Sequence, residues 1–185
     1  MHLSFLPYQA DQRPSLIAFI AADTYPFNGT PQPTKEQVAS WIDKGLYTET
    51  FWIIDDGIPV GVMQYHDASA VHAEIHIRLH TPFRGRGIGT PAIRWLTAYL
   101  FGTFPTKHRV EGWTRVDNIA MRRVFRACGY VKEAHLRLDF PVGDGSYMDK
   151  VGYGLLRTDW ETDSTTPVRW ADEGEISRLT RHYGV

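Results

Sequence analysis

Three glycines at alternate positions, two arginines and an isoleucine make up Arg84-Gly85-Arg86-Gly87-Ile88-Gly89, and Thr90-Pro91 follow at once. Glycine lets a backbone bend sharply and approach a bound group closely. An apolar-periodic run continues to Phe101, so the loop opens a helix, with Thr90 as its expected N-cap and Pro91 at the first helical position. The N–H groups of a helix N-terminus point outward, and the helix dipole favours an anion there. Arg84 and Arg86 add two cationic forks that match phosphate oxygens. The chemistry expected is capture of a phosphate group.

The glycines alone do not say which phosphate. A nucleotide-binding P-loop needs Lys and then Ser or Thr after its last glycine, whereas Gly89 is followed by Thr90-Pro91. A dinucleotide fingerprint needs a third fixed glycine where Thr90 stands, and it should open a βαβ unit. Here the preceding chain reads as consecutive strands. Ala73 to Leu79 alternates apolar residues with Glu74, His76 and Arg78, as a half-buried strand does. The order is strand, glycine turn, helix.

These residues resemble the GCN5-related N-acetyltransferase (GNAT) superfamily, whose pyrophosphate loop reads Gln/Arg-x-x-Gly-x-Gly/Ala. A second block, Asn118 to Tyr130, resembles that superfamily's helix that begins near an asparagine and ends in Gly-Phe/Tyr. Tyr153 to Trp160 is similar to the last strand of the branch that includes ribosomal-protein N-terminal acetyltransferases. The likeness covers about residues 2–160, and residues 161–185 form a C-terminal extension of open role. It implies a mixed α/β fold, a twisted and mostly antiparallel sheet of six to seven strands flanked by helices. The cofactor cleft then lies where the central strands splay apart.

The resemblance further implies acetyl-CoA as acyl donor and an amine as acceptor. The loop from Arg84 through Gly85, Arg86, Gly87, Ile88 and Gly89 to Thr90 would take the pyrophosphate. Leu79 matches the residue whose backbone N–H faces the thioester carbonyl, a contact that also stabilises an oxyanion, by roughly 3–4 kcal/mol in other enzymes. Asn118 matches the asparagine beside the pantetheine arm, and Arg123 could approach the adenosine phosphates. Glu74 is the first candidate for general base, and Glu111 on the next strand is the reserve. Many relatives carry a tyrosine that protonates the departing thiolate where this chain has Phe125.

The acceptor amine must be neutral to attack. A lysine-like amine of pKa about 10.4 costs roughly 4–5 kcal/mol to deprotonate at pH 7, while an α-amine near 8 costs only about 1–1.4 kcal/mol. With no tyrosine acid and an uncertain base, the sequence tilts toward an easily deprotonated amine. Two histidines, His76 and His80, share a strand face with Glu74 and could in principle hold a metal ion. Spaced surface histidines are usually polar residues only, and no metal is expected. Cys128 reads as a small buried hydrophobe rather than an acetyl carrier.

The elements that must position these groups follow from the rest of the chain. Expected strands cover residues 2–6, 50–54, 59–65, 73–79, 109–114, 131–140 and 147–156, with turns at Asp55-Asp56-Gly57 and Gly143-Asp144-Gly145. Expected helices cover 14–21 (capped by Asp11), 34–42 (capped by Thr34), 91–101 and 118–128 (capped by Asn118), with another near 172–181. Tyr25, Phe27 and Trp41 lie in or beside a proline-stiffened loop and read as core, while the resemblance implies an alternative role as walls of an acceptor pocket.

At 185 residues and 43% apolar, the chain can bury a substantial core. A net charge of −1 without a basic tract argues against nucleic-acid or membrane binding. One cysteine fits a reducing cytoplasm, and neither a signal peptide nor a membrane span is expected. Pairing as a homodimer stays open. The readings that compete with an acetyltransferase are a non-catalytic acyl-CoA sensor on the same scaffold and a nucleotide-binding oxidoreductase.

Overall fold

Asp56 and Gly57 both take positive φ, 48° and 82°, the geometry a two-residue hairpin turn requires. The computed structural model describes residues 1–169 apart from Thr48 and Ala70. It places this turn between β2 (Thr50–Asp55) and β3 (Ile58–Ser69). The remaining strands are β1 (Leu3–Pro7), β4 (His72–Leu79), β5 (Arg109–Arg115), β6 (Val131–Pro141) and β7 (Tyr147–Leu156). Among the described residues they form one seven-stranded sheet in the order β1-β2-β3-β4-β5-β7-β6. Every neighbouring pair is antiparallel except β4–β5. This is the mixed α/β architecture expected.

The parallel pair is short. It joins His72 to Arg109, Ala73 to Val110 and Glu74 to Glu111, and there the ladder stops. β4 continues to Leu79 and β5 to Arg115 with no further pairing between them. The sheet therefore opens at its centre.

Two helices, α3 (Gly89–Thr103) and α4 (Ile119–Ala127), cover one face. The 3–4 spacing of Ile93, Leu96 and Leu100 puts all three on one stripe, fully buried with Phe125 against Ile75, Val110, Val151 and Tyr153. On the other face α1 (Arg13–Ala21) and α2 (Lys35–Asp43) set Leu16, Ile20 and Val38 on Trp52 and Val62. Thr34 and Gln37 form a reciprocal cap at α2, with bonds of 3.2 and 2.9 Å.

Two local expectations change. Asp11 does not cap α1; residues Ala10–Gln12 form a 3-10 turn, and Gln12 Oε1 accepts from Gln9 N–H (3.0 Å) and Trp52 Nε1 (2.9 Å). The last strand ends at Leu156, and α5 (Arg157–Thr162) follows across position 160. The chain turns there because the Arg157 guanidinium donates to the carbonyls of Lys107 (2.7 Å), Phe101 (3.0 Å) and Phe104 (2.7 Å). The expected helix near 172–181 lies outside the described residues.

Phe125 explains where the sheet opens. Its ring fits so closely over Gly112, the first residue of β5 past its ladder with β4, that a Cβ there would lie 2.4 Å from the ring tip and 3.5 Å from Ile75. Gly112→Ala should therefore lower stability by about 1–3 kcal/mol through overpacking, read as a lower urea midpoint. An unchanged midpoint would show that the ring is not confined.

Candidate active site

Gly85 and Gly87 sit at φ of 72° and 83°, a left-handed conformation costly to residues with a Cβ. They turn the chain from the end of β4 into α3. Ile88 already has helical angles (φ −67°, ψ −35°), and the helix begins at Gly89 with no side-chain cap. Thr90 is thus inside the first turn rather than its cap; its carbonyl instead receives the Cys128 thiol at 3.5 Å. The first N–H groups of any α-helix lack intrahelical partners, so the N-terminus is left open to an anion. Gly89 serves close packing, since a Cβ there would press within 3.1 Å of Val124.

The glycine loop forms one end of a cleft of about 480 Å³, lined also by Ile77, Leu79, Asn118, Met121 and Arg123. His80 N–H donates to the Val60 carbonyl at 3.0 Å, which marks Gly61 and Leu79 as a pair whose own main-chain groups point away from each other. By strand alternation the N–H groups of Ile77 and Leu79 therefore face the gap left by β5. Asn118 caps α4 by accepting from Met121 N–H (3.2 Å), and its amide donates to Thr114 Oγ1 (2.9 Å).

The segment after α1 crosses the gap on the opposite face. Asp23 accepts from the Thr81 hydroxyl (2.7 Å) and N–H, and the Thr24 carbonyl accepts from Arg84. Two residues on, the Pro26 carbonyl takes Arg115 Nη1 of β5 at 3.0 Å, and Phe27 lies under the same guanidinium at 5.1 Å. The strap is tied to both diverging strands. Between its anchors Tyr25 is 5% exposed, with the Arg78 and Arg84 guanidiniums 5.6 and 5.5 Å from its ring. Burial pushes its phenol up to about 12, and its hydroxyl has no hydrogen-bond partner among the described residues.

Beyond the strap lies a second cavity of about 270 Å³, lined by Trp41, Tyr47, Gln64, His66, His76 and Arg78 among others. Arg78 and Asn28 line both spaces. Glu74 Oε1 meets His76 Nε2 at 3.2 Å, and that hydrogen bond, more than any other cause, holds the Glu74 carboxyl below its ordinary value. His66, opposite Glu74 on β3, stands edge-on to His76 with ring centres 5.0 Å apart. Burial, reinforced by His76, pushes the His66 pKa down.

A family model described as the acetyltransferase (GNAT) domain matches residues 2–131. The chain belongs to the GNAT acetyltransferase family. It is 32% identical over 111 residues to "Putative ribosomal N-acetyltransferase YdaF" of Bacillus subtilis (strain 168), a match over 59% of this chain and 60% of that relative's length. The fold is shared with a GNAT-family acetyltransferase from Bacillus anthracis at TM-score 0.71 and 18% identity, covering 84% of this chain and 95% of that one. It is shared also with spermidine N-acetyltransferase from Vibrio cholerae in complex with CoA and spermine, at TM-score 0.70 and 17% identity, covering 86% and 98%.

Within this GNAT domain the cleft brings together Leu79, Arg84, Gly85, Gly87, Ile88, Gly89, Thr90, Asn118 and Arg123. Two of the expected cationic forks are directed elsewhere. Arg84 turns inward, its Nε on the Leu79 carbonyl at 2.8 Å and Nη2 3.6 Å from Asp23. Arg86 is exposed and lies 5.4 Å over the Phe83 ring. Ile88 is 1% exposed, so only its main chain can meet a ligand. Glu111 is engaged at both oxygens, by Arg109 Nε (3.2 Å) and Trp113 Nε1 (3.3 Å). His80 does not join Glu74 and His76, because its ring stacks on Phe19 at 3.6 Å and its Nε2 meets the Phe19 carbonyl at 2.8 Å. His66, Gln64 and the strap's ties to Thr81, Arg84 and Arg115 were not anticipated, although Tyr25 and Phe27 of the strap and Trp41 of the second cavity were candidate pocket walls in the sequence.

An unpartnered buried hydroxyl costs about 1–3 kcal/mol. Tyr25→Phe should accordingly melt at the same temperature as the parent or higher. A clear fall in melting temperature would mean that the hydroxyl has a partner in the folded protein.

Proposed function

We propose that this protein moves the acetyl group of acetyl-CoA directly to a primary amine. The observation that carries the proposal is that two spaces share Arg78 and Asn28 in their linings, one ending on an open helix N-terminus and one lined by histidines. The main chain of the loop and the first turn of α3 would hold the diphosphate, with Arg123 alongside. The outward edge of β4 at Ile77 and Leu79 would pair with the pantetheine amides as an added strand does. The Leu79 N–H would then face the thioester carbonyl and stabilise the oxyanion formed on attack. Acetyl-CoA supplies the activated acyl group; the chain supplies grip, alignment and a proton acceptor.

The acceptor cavity suits an α-amine. Its lining holds Arg78 and two histidines and, among the described residues, no carboxylate. A polyamine carrying further positive charges would meet repulsion there. The Bacillus subtilis relative is named for ribosomal N-acetylation, which supports a protein N-terminus as acceptor, whereas nothing in this cavity favours spermine. Phe125 cannot donate a proton, but a coenzyme A thiol near the cysteine range of about 8.5 leaves readily as thiolate.

Calorimetry with acetyl-CoA, run beside a free-thiol assay on a panel of peptide α-amines and polyamines, tests this directly. Binding with turnover on peptides and little on spermine is expected. Tight binding with no turnover on any amine would favour the sensor. Gly87→Glu, which puts a side chain at φ 83° and a negative charge beside the diphosphate, should abolish acetyl-CoA binding; retained affinity would refute the cradle.

A further inference from the structure

We infer that His76 takes the proton from the acceptor amine and that Glu74 positions its ring. The inference rests on the acetyltransferase reading above. Glu74 and His76 are two apart on β4, so their side chains share one face. Glu74 Oε1 lies 3.2 Å from His76 Nε2. A carboxylate only accepts hydrogen bonds, so it selects the tautomer with the proton on Nε2 and leaves the Nδ1 lone pair available. Nδ1 has no partner among the described residues. His76 lines the acceptor cavity, while Glu74 does not. His76 also directly precedes Ile77, which lines the cofactor cleft.

The surroundings agree with this assignment. His66 approaches from β3, edge-on at 5.0 Å, and one end of the Gln64 amide meets the His66 ring at 3.1 Å. The other end of that amide, placed as Oε1, is buried without a partner in the cavity wall. Arg78 follows on β4 and is bonded to the Tyr47 hydroxyl at 2.6 Å. Glu111 lies beside Glu74 on β5, and Lys150 of β7 acts on Glu74 at longer range. Glu74 itself is a poor base, because its hydrogen bond to His76 keeps it ionised.

The step balances with one proton. The neutral amine nitrogen bonds to the acetyl carbon, the carbon–sulfur bond breaks, and the N–H proton passes to His76 Nδ1. The imidazolium then returns that proton to the thiolate, which gives the free thiol and the amide. One side chain serves as base and then as acid.

The test uses the whole chain with acetyl-CoA and a short peptide amide bearing a free α-amine. His76→Gln should lower kcat about 100-fold, leave the affinity for acetyl-CoA unchanged and remove the acid limb that the kcat/KM–pH profile keeps once rates are expressed per neutral peptide amine. Glu74→Gln should retain that limb with a smaller loss. Two-bond 15N–1H correlations should show the Nε2–H tautomer of His76 in the parent and a mixture in Glu74→Gln. Loss of the limb in Glu74→Gln with its retention in His76→Gln would overturn the assignment and restore Glu74 as base. A His76 tautomer unaffected by Glu74→Gln would likewise overturn the positioning role. If the parent binds acetyl-CoA but acetylates no amine, the acetyltransferase reading fails and takes this proposal with it; a parent that turns over while His76→Gln matches it defeats the proposal alone.

Discussion

The separation of β4 from β5 after three residue pairs governs the site. Main-chain N–H and C=O groups need partners, and a buried one without a partner is costly. Past Glu74 and Glu111 the ladder ends, so β4 presents an unpaired edge inside the molecule rather than at the sheet's rim. That edge is an invitation to an extended ligand with amides of its own. Phe125 keeps the gap open by filling its floor against Gly112 and Ile75, so the opening is held by a packed core and not by a flexible loop.

Around that gap the protein divides its labour by face. The helix-covered face offers main-chain donors: the start of α3 and the loop before it. The face under α1 and α2 offers ionisable side chains: Glu74, His76, His66 and Arg78. The loop arginine that sequence assigns to phosphate, Arg84, is instead a brace between the Leu79 carbonyl and the strap. In the function proposed above, anion capture would therefore fall mainly to oriented backbone dipoles and to Arg123, an arrangement that needs no reorganisation when a ligand arrives.

Much of the fold was legible because its signals are local. The Asp56-Gly57 turn, the Thr34 and Asn118 caps, the stripe of Ile93, Leu96 and Leu100, and the left-handed glycines each act over a few residues. What escaped depends on partners far apart in the chain. The inward turn of Arg84 requires Asp23 and Thr24, about sixty positions earlier. The meeting of Arg115 with Pro26 spans 89 positions. The Glu74–His76 pair was visible as two residues on one strand face, yet which of them faces the second cavity depends on how β3 and the strap close around it. Thr90 failed as a cap for a local reason: Ile88 enters helical geometry first.

The strap from Asp23 to Phe27 holds β4 through Thr81 and Arg84 and holds β5 through Arg115. Like the jaws of a calliper joined by a bar, the two strands cannot spread without pulling on Tyr25 and on the wall it shares with Arg78. The width of the cleft between the strands and the shape of the cavity beyond the strap are thus one mechanical variable, set by a stretch of five residues.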